Sequence, residues 1–214
     1  MDQGKIIVYG AINGSDSNGN GILDSEEGSD PNSDFDHDGT PDFQDSDTAT
    51  FRHAQSNQKV LLHTPKGSLA EVKALSSDDP GVPQEGKPSL IFPYGVNSFK
   101  ITGLNPSNAE SVTISIVFPD NVPVTAKYYK ISSADGWREI PFGSNDGDNT
   151  ITITLTDGDS STDADGKVDG TIYDPGSLAL PAESGSDKGD SGTCFITTLF
   201  PAWIKSLLDF SRRI

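Results

Sequence analysis

The sequence predicts a mainly β protein, made of a helix-free acidic segment, an antiparallel β-sandwich and a short C-terminal tail with helical potential. Short runs of alternating apolar and polar residues, separated by Gly, Pro, Asn and Asp, fill the chain from about residue 58 to residue 181. Hydrophobic residues make up 33% of the chain, so part of it is expected to lack a core. Residues 16–47 carry eleven carboxylates and neither lysine nor arginine.

Residues 1–15 are predicted to form an N-terminal strand or the remnant of an upstream domain. Their start, MDQGKIIVYG, has neither the basic region nor the long apolar core of a secretory signal. Its β-branched, glycine-punctuated run also does not predict a helix before the acidic segment.

The acidic segment, residues 16–47, contains two stretches that fit a twelve-position calcium loop. Calcium binds about six to eight oxygens, so such a loop needs alternating carboxylates or amides, a sharp glycine turn and a final acid. The candidate ligands in loop 1 (DSNGNGILDSEE) are Asp16, Asn18, Asn20, the Ile22 carbonyl, Asp24 and Glu27. Those in loop 2 (DFDHDGTPDFQD) are Asp34, Asp36, Asp38, the Thr40 carbonyl, Asp42 and Asp45. Loop 2 offers five ligand carboxylates against three in loop 1, and is expected to bind Ca²⁺ more tightly.

The linker between the loops, GSDPNS, contains residues that stop helices, which argues against an EF-hand. Acidic loops strung directly together resemble the thrombospondin type 3 repeat, and GNGILDSEEGSDPNSDFDHDGTPDFQD is close to the pattern of that family. The resemblance covers about 32 of the 214 residues and implies a short rod wrapped around calcium ions. The alternative is an inert acidic linker, because Asp, Asn, Gly and Ser also form ordinary turns.

The charge of the chain points to a cation as its partner. A net charge of −17 and a pI near 4.3 disfavour nucleic acid and anionic membrane surfaces, which select basic patches. A single cysteine excludes an intrachain disulfide, so we expect a metal ion to stabilise the fold instead.

Residues 48–181 are predicted to form the β-sandwich. Alternate residues of SVTISIVF place four apolar side chains on one face, and TITITLT repeats the pattern with threonines outside. Further candidate strands are KVLLHT, LAEVKAL, SFKITGL, TAKYYKI and WREIPF. About seven to nine strands favour two packed sheets, because each sheet must bury its apolar face against a second layer.

The second half of the sandwich, from about residue 90 to residue 181, contains two characteristic stretches, AKYYKISSADGWREIPF and LTDGDSSTDADGKVDGTIYDPGSLAL. Together these stretches resemble the bacterial choice-of-anchor U domain. The resemblance implies a membrane-proximal module of a large bacterial surface protein, placed just before a variable sorting tail. The matching positions are Asp157, Gly158, Asp163, Ala164, Asp165, Gly166, Gly170, Ile172, Asp174, Pro175 and Gly176.

A third acidic group lies inside this region and has two interpretations. It could form another calcium site, although Ile172 stands where the closing acid is needed. It could equally be an acidic hairpin loop exposed to water. Its members are Asp157, Asp159, Asp163, Asp165 and Asp169.

Residues 182–193 form a Ser/Gly/Asp linker, and residues 194–214 form an apolar tail, CFITTLFPAWIKSLLDFSRRI. The apolar run is eleven residues long before Lys205, too short to predict a transmembrane helix. Its opening resembles a Cys-Phe-Ile sorting tail, which implies membrane association through the tail alone. The alternative is an amphipathic helix that packs on the domain.

The sequence favours a calcium-binding structural module of a bacterial cell-surface or secreted protein, without enzymatic activity. Calcium would stiffen a spacer beside the sandwich stalk, and we expect the chain to be the C-terminal piece of a longer secreted precursor with upstream domains. GDSG at residues 189–192 resembles a serine protease segment, but no histidine accompanies it at a suitable position.

Two alternatives remain open at this point. The first is a carbohydrate- or protein-binding adhesion module, with Tyr128, Tyr129 or Trp137 as an exposed platform. Exposed coplanar rings would favour it, whereas rings buried against the sheets would favour a stalk. The second is an accessory part of a secreted hydrolase, which would need a cleft with two facing carboxylates.

Overall fold

The computed structural model describes residues 14–132 and 135–182. Most of the predicted N-terminal strand (residues 1–13), almost all of the Ser/Gly/Asp linker and the apolar tail lie outside these residues. The described part is mainly β, as predicted, with two antiparallel sheets and almost no helix. None of its helices is long and apolar enough to cross a membrane.

Nine strands form the two sheets within the described residues. The strands are β1 (Thr48–Arg52), β2 (Lys59–His63), β3 (Ser68–Leu75), β4 (Val96–Thr102), β5 (Ser111–Val117), β6 (Lys127–Ser132), β7 (Gly136–Ile140), β8 (Thr150–Thr156) and β9 (Ile172–Ala179). The four-stranded sheet has the order β1-β2-β5-β8, and the five-stranded sheet has the order β3-β4-β9-β6-β7. A one-turn helix α1 (Asp24–Glu27) and a 3-10 turn (Asp42–Gln44) precede them.

The main core lies between the sheets and follows from the alternating pattern of the strands. Ile114 of β5 pairs with Ile153 of β8, and both side chains are buried. On the opposite face, the hydroxyls of Thr113 and Thr154 lie 2.9 Å apart in an exposed hydrogen bond. The five-stranded sheet contributes Phe99 to the same core. The predicted burial of one face of each strand is therefore confirmed for β5 and β8.

A second, smaller core covers the outer face of the five-stranded sheet. Tyr129 and Trp137 pack there against Val82 and Phe92, which lie in the long connection between β3 and β4. The Trp137 indole donates a hydrogen bond of 2.6 Å to the Pro83 carbonyl. This connection therefore shields a face that would otherwise be exposed.

Two of the nine strands were not among the candidate strands. β1 begins directly after loop 2 and pairs with β2, so it is an edge strand that is continuous with the acidic segment. β9 contains Pro175, which argues against a central strand because proline lacks the N–H group of a ladder hydrogen bond. Pro175 pairs with Ser98 of β4, whereas the ladder between β9 and β6 begins at Gly176, so the proline lies just beyond the end of the β6 ladder.

The acidic segment packs against the sandwich through backbone hydrogen bonds. The Val72 N–H donates to the Asn20 carbonyl at 2.9 Å, beside an irregularity of β3 at which Glu71 has φ 51. The Leu69 N–H donates to Ser46 at 2.7 Å, which fixes the end of loop 2 to the same strand. The segment was predicted to be helix-free, and its two helical turns lie inside the loops rather than flanking them as in an EF-hand.

Candidate metal centre

The two predicted calcium loops adopt the same backbone conformation. At position 6 the glycines Gly21 and Gly39 have φ 97 and φ 98, a left-handed conformation that costs glycine little. At position 4 Gly19 has φ 74 and His37 has φ 65. Each loop then ends in a short helical turn that begins at its position 9. The eighteen-residue repeat in the sequence is thus also a repeat in the structure.

Side-chain hydrogen bonds repeat between the loops as well. The position 1 carboxylate accepts the N–H of the position 6 glycine, at 3.1 Å for Asp16 and 3.0 Å for Asp34. The position 3 side chain accepts the N–H of position 5, and the position 5 side chain accepts the N–H of position 7 in both loops. The position 9 carboxylate accepts the N–H of position 2 in both. These contacts fold each loop around its own carboxylates and amides.

Loop 2 brings three carboxylates together at its open side. One oxygen each from Asp34, Asp36 and Asp38 lies within 4.8 Å of the others. Asp34 Oδ1 is buried and has no hydrogen-bond partner among the described residues. Carboxylate oxygens only accept hydrogen bonds when ionised, so these groups cannot satisfy one another.

The base of loop 2 holds two further carboxylates, those of Asp42 and Asp45, which are 8% and 9% exposed. Asp42 accepts hydrogen bonds from the Phe35 N–H and the Ser33 hydroxyl. Burial, together with the neighbouring charges of Asp47 and Asp38, raises the pKa of Asp45 to about 6. Loop 2 therefore holds the ionised form of Asp45 at an electrostatic cost, which a bound cation would reduce.

His63 and Asp47 extend the acidic group of loop 2. His63 Nε2 lies 3.6 Å from Asp36 Oδ2 and 4.0 Å from Asp47 Oδ1, and its ring lies 5.5 Å from the Phe35 ring. Asp36, Asp47 and His63 form a second group that could hold a metal ion. The sequence reasoning did not select either Asp47 or His63 as a ligand. His63 lies on β2, and only the packing of loop 2 against that strand brings it close.

Loop 1 satisfies its own polar groups. Its closing carboxylate, Glu27, is 6% exposed and accepts hydrogen bonds from the side-chain amides of Asn20 at 2.8 Å and Asn18 at 3.1 Å. The Thr50 N–H donates to the same carboxylate at 3.1 Å, and burial raises the pKa of Glu27. Asp24 instead accepts from the Ser17 N–H and hydroxyl, which lower its pKa. The three carboxylates of loop 1 do not form a group in the way that those of loop 2 do.

The position 7 residues differ in their surroundings. Ile22 is buried and its side chain joins the main core, whereas Thr40 is half-buried. The Ile22 side chain therefore holds loop 1 against the sandwich.

Two members of the third acidic group accept hydrogen bonds from the backbone of the loop between β8 and β9. Asp157 and Asp163 are fully buried. Asp157 accepts the Gly170 N–H at 2.9 Å, and Asp163 accepts the Gly158 N–H at 2.9 Å and the Tyr173 N–H at 3.0 Å. None of the groups of metal-capable side chains found in the described residues includes Asp157, Asp159, Asp163, Asp165 or Asp169.

The aromatic residues considered for a ligand platform are buried. Tyr128 is 0% exposed and lies between the sheets, while Tyr129 and Trp137 are 8% and 9% exposed and belong to the outer core. The rings of Tyr129 and Trp137 meet at 63° rather than lying coplanar. This arrangement favours the stalk interpretation over an aromatic binding platform.

Comparisons with protein-family models, curated proteins and solved structures find no match for this chain. The chemistry of the site therefore rests on its own donor atoms. Loop 2 offers carboxylate oxygens and one imidazole nitrogen, a set that suits a hard divalent cation better than a soft one.

Proposed function

We propose that this chain is a calcium-stabilised structural module of a bacterial cell-surface or secreted protein, with loop 2 as its principal calcium site. The observation that carries the proposal is the convergence of Asp34, Asp36 and Asp38 in a loop that also holds a buried Asp45 whose pKa is raised to about 6. Loop 1 is proposed as the weaker site, because its closing carboxylate already has hydrogen-bond donors.

Electrostatics supports a cation in loop 2. Two unit charges about 4 Å apart repel by about 4 kcal/mol at an effective dielectric constant near 20. Loop 2 holds several such pairs, and His63 is the basic side chain that lies within 4.0 Å of them among the described residues. A divalent cation would turn this repulsion into attraction, and calcium prefers oxygen ligands in flexible loops of this length.

The proposed function is mechanical. Loop 1 is joined to β3 at Asn20, and the end of loop 2 is joined to the sandwich at Ser46 and Asp47. Calcium bound in loop 2 would hold the entry of the chain into the sandwich in a single conformation. Domains upstream in a longer surface protein would then be kept at a fixed distance from the cell.

Calorimetric titration with Ca²⁺ tests the metal site directly. The parent chain is expected to bind, Asp36→Ala to lose the tightest binding event, and Asp16→Ala to keep that event. Asp30→Ala is the matched control, because Asp30 is exposed, carries the same charge and lies between the loops at no ligand position. The proposal fails if the parent does not bind Ca²⁺, or if Asp30→Ala weakens binding as much as Asp36→Ala.

Limited proteolysis tests the structural role of the ion. Chymotrypsin suits the experiment because residues 16–47 contain Phe35 and Phe43 but no trypsin site. Removal of calcium with a chelator is expected to expose these two sites while the sandwich stays intact. The same cleavage pattern with and without chelator would refute a calcium-dependent acidic segment.

A further inference from the structure

The main core contains a lysine and an aspartate in direct contact. Lys130 of β6 and Asp174 of β9 have side chains that are 5% and 0% exposed, and Lys130 Nζ contacts Asp174 Oδ1. Lys130 lies opposite Gly176 in the ladder, two residues from Asp174, so both side chains lie on the face that is buried between the sheets. Phe99, opposite Asp174 on β4, packs beside them.

Several polar atoms around this pair have no hydrogen-bond partner among the described residues. They are Asp174 Oδ2, the Tyr128 hydroxyl and both side-chain polar atoms of Asn97, and all are buried. A buried ion pair is stabilising only when additional hydrogen bonds satisfy its remaining atoms, because each ion loses its hydration. If Lys130 and Asp174 form an ion pair, that pair therefore lacks hydrogen bonds that would stabilise its charges.

A second buried carboxylate, that of Asp163, lies near the pair. The backbone of Tyr173 links it to the amine, because the Tyr173 N–H donates to Asp163 Oδ1 at 3.0 Å and the Tyr173 carbonyl oxygen lies 3.5 Å from Lys130 Nζ. The N–H groups of Gly158 and Tyr173 hold it in place, and Tyr173 directly precedes Asp174 in the chain. The site therefore contains an amine, a carboxyl group and a second carboxylate in a region closed to water.

Burial favours the neutral forms of the two contacting groups. It lowers the pKa of the Lys130 amine and raises the pKa of the Asp174 carboxyl, and in each case burial is the largest cause. A neutral amine is a nucleophile, and a protonated carboxyl can lose its oxygen as water. Transfer of one proton from Lys130 to Asp174 gives both reactive forms.

We propose that Lys130 Nζ and Asp174 Cγ become joined by an intramolecular amide bond that links β6 to β9. The nitrogen attacks Cγ, a C–N bond forms and a C–O bond of the carboxyl breaks. Asp163 accepts a proton from the nitrogen and delivers it to the departing oxygen, which leaves as water. An ammonium and a carboxylate thus become one amide and one water molecule, so atoms and charge balance and no oxidant takes part.

The surroundings suit the amide better than the ion pair. The bond removes two buried charges and leaves a carbonyl oxygen in the place of Asp174 Oδ2. Burial, followed by the charge of Asp174, raises the pKa of the Tyr128 hydroxyl, which has no hydrogen-bond partner among the described residues. Gly176 keeps this space open, because a Cβ there would overlap the Tyr128 hydroxyl.

The intact mass of the denatured full chain tests the proposal. The parent is expected to be lighter than its sequence mass by one water molecule, whereas Lys130→Arg and Asp174→Ala are expected to match theirs. A parent chain with its full sequence mass overturns the proposal, and this outcome does not depend on whether the variants fold.

Tryptic peptides locate the bond. A linked Lys130 resists cleavage, so the expected product joins residues 128–138 to residues 168–188. The exposed pair Lys127 and Glu139, with Nζ and Oε2 2.7 Å apart, serves as an internal control and is expected to stay unlinked. A mass loss that maps elsewhere overturns the assignment to Lys130 and Asp174.

Asp163→Asn tests the proton relay. The variant keeps one of the two oxygens that accept the N–H groups of Gly158 and Tyr173, and it is expected to show the near-ultraviolet circular dichroism of the folded chain while most molecules remain unlinked. Complete linkage in this variant would overturn the role assigned to Asp163.

Discussion

Replacing Asp45 by asparagine is expected to stabilise the calcium-free protein and to weaken its response to calcium. The pKa of Asp45 is raised from 3.8 to about 6, chiefly by burial. The difference is about 2 pKa units, and each unit corresponds to about 1.4 kcal/mol. Because solvent still reaches part of the carboxyl group, we expect ionised Asp45 to destabilise the metal-free fold by about 2 to 3 kcal/mol.

The pH dependence follows from the direction of the shift. The folded state holds the Asp45 proton more tightly than the unfolded state, so unfolding releases a proton between about pH 4 and pH 6. The destabilisation of the fold by ionised Asp45 is absent below about pH 4, grows as the pH rises and is complete above about pH 6. Asp45→Asn removes it, while its side-chain oxygen can still accept the Asp47 N–H that now lies 3.2 Å away.

In the presence of calcium, the parent is expected to gain more stability than Asp45→Asn. A ligand that binds only the folded state stabilises it by about 2.7 kcal/mol at a concentration one hundred times its Kd. The parent gains this stabilisation, and the variant, which lacks the closing acid of loop 2, gains much less. Urea unfolding at neutral pH, with chelator and with calcium, measures both effects, and Asp30→Asn provides the control for the change in charge. Equal stability of Asp45→Asn and the parent in chelator, or equal stabilisation of both by calcium, would refute the reasoning.

Three further outcomes are expected. Gly39→Ala should weaken calcium binding by about tenfold in a calcium titration, because alanine is strained at φ 98 although no atom lies within 4 Å of the added Cβ. His63→Ala should change the calcium affinity by less than about threefold, since calcium selects oxygen ligands, and a large loss would instead support a site built from Asp36, Asp47 and His63. Ile153→Ala should lower the free energy of unfolding by about 2 to 5 kcal/mol in urea, because this fully buried side chain fills the core between the sheets.

The backbone geometry of the two loops was predictable from sequence because it is local. Gly21 and Gly39 occupy the positions that need a left-handed conformation, and alternating Asp and Asn residues supply the acceptors for nearby N–H groups. Each of these contacts spans fewer than about ten residues, so a pattern in the sequence specifies them. The contact between loop 2 and His63 has no such pattern, since it depends on how the loop packs against β2.

The strands also differ in whether a local sequence pattern predicts them. β5 and β8 alternate cleanly, and their period alone predicts the buried face. β9 contains a proline and a glycine and lies at the centre of the five-stranded sheet, where β4 and β6 pair with it on either side. Its place is determined by its neighbours, and the contact between Lys130 and Asp174 could be found only once β9 had been placed beside β6.

The two loops share a backbone conformation but differ in the side chains at positions 3 and 5. In loop 1 these positions hold Asn18 and Asn20, whose amide groups donate hydrogen bonds to Glu27. In loop 2 they hold Asp36 and Asp38, which when ionised have no hydrogen to donate, so Asp45 cannot be satisfied in the same way. Loop 1 can therefore close on itself and anchor the segment to β3 without a metal ion. We therefore expect loop 2 to need a cation for full stability, and we expect the calcium dependence of the module to reside there.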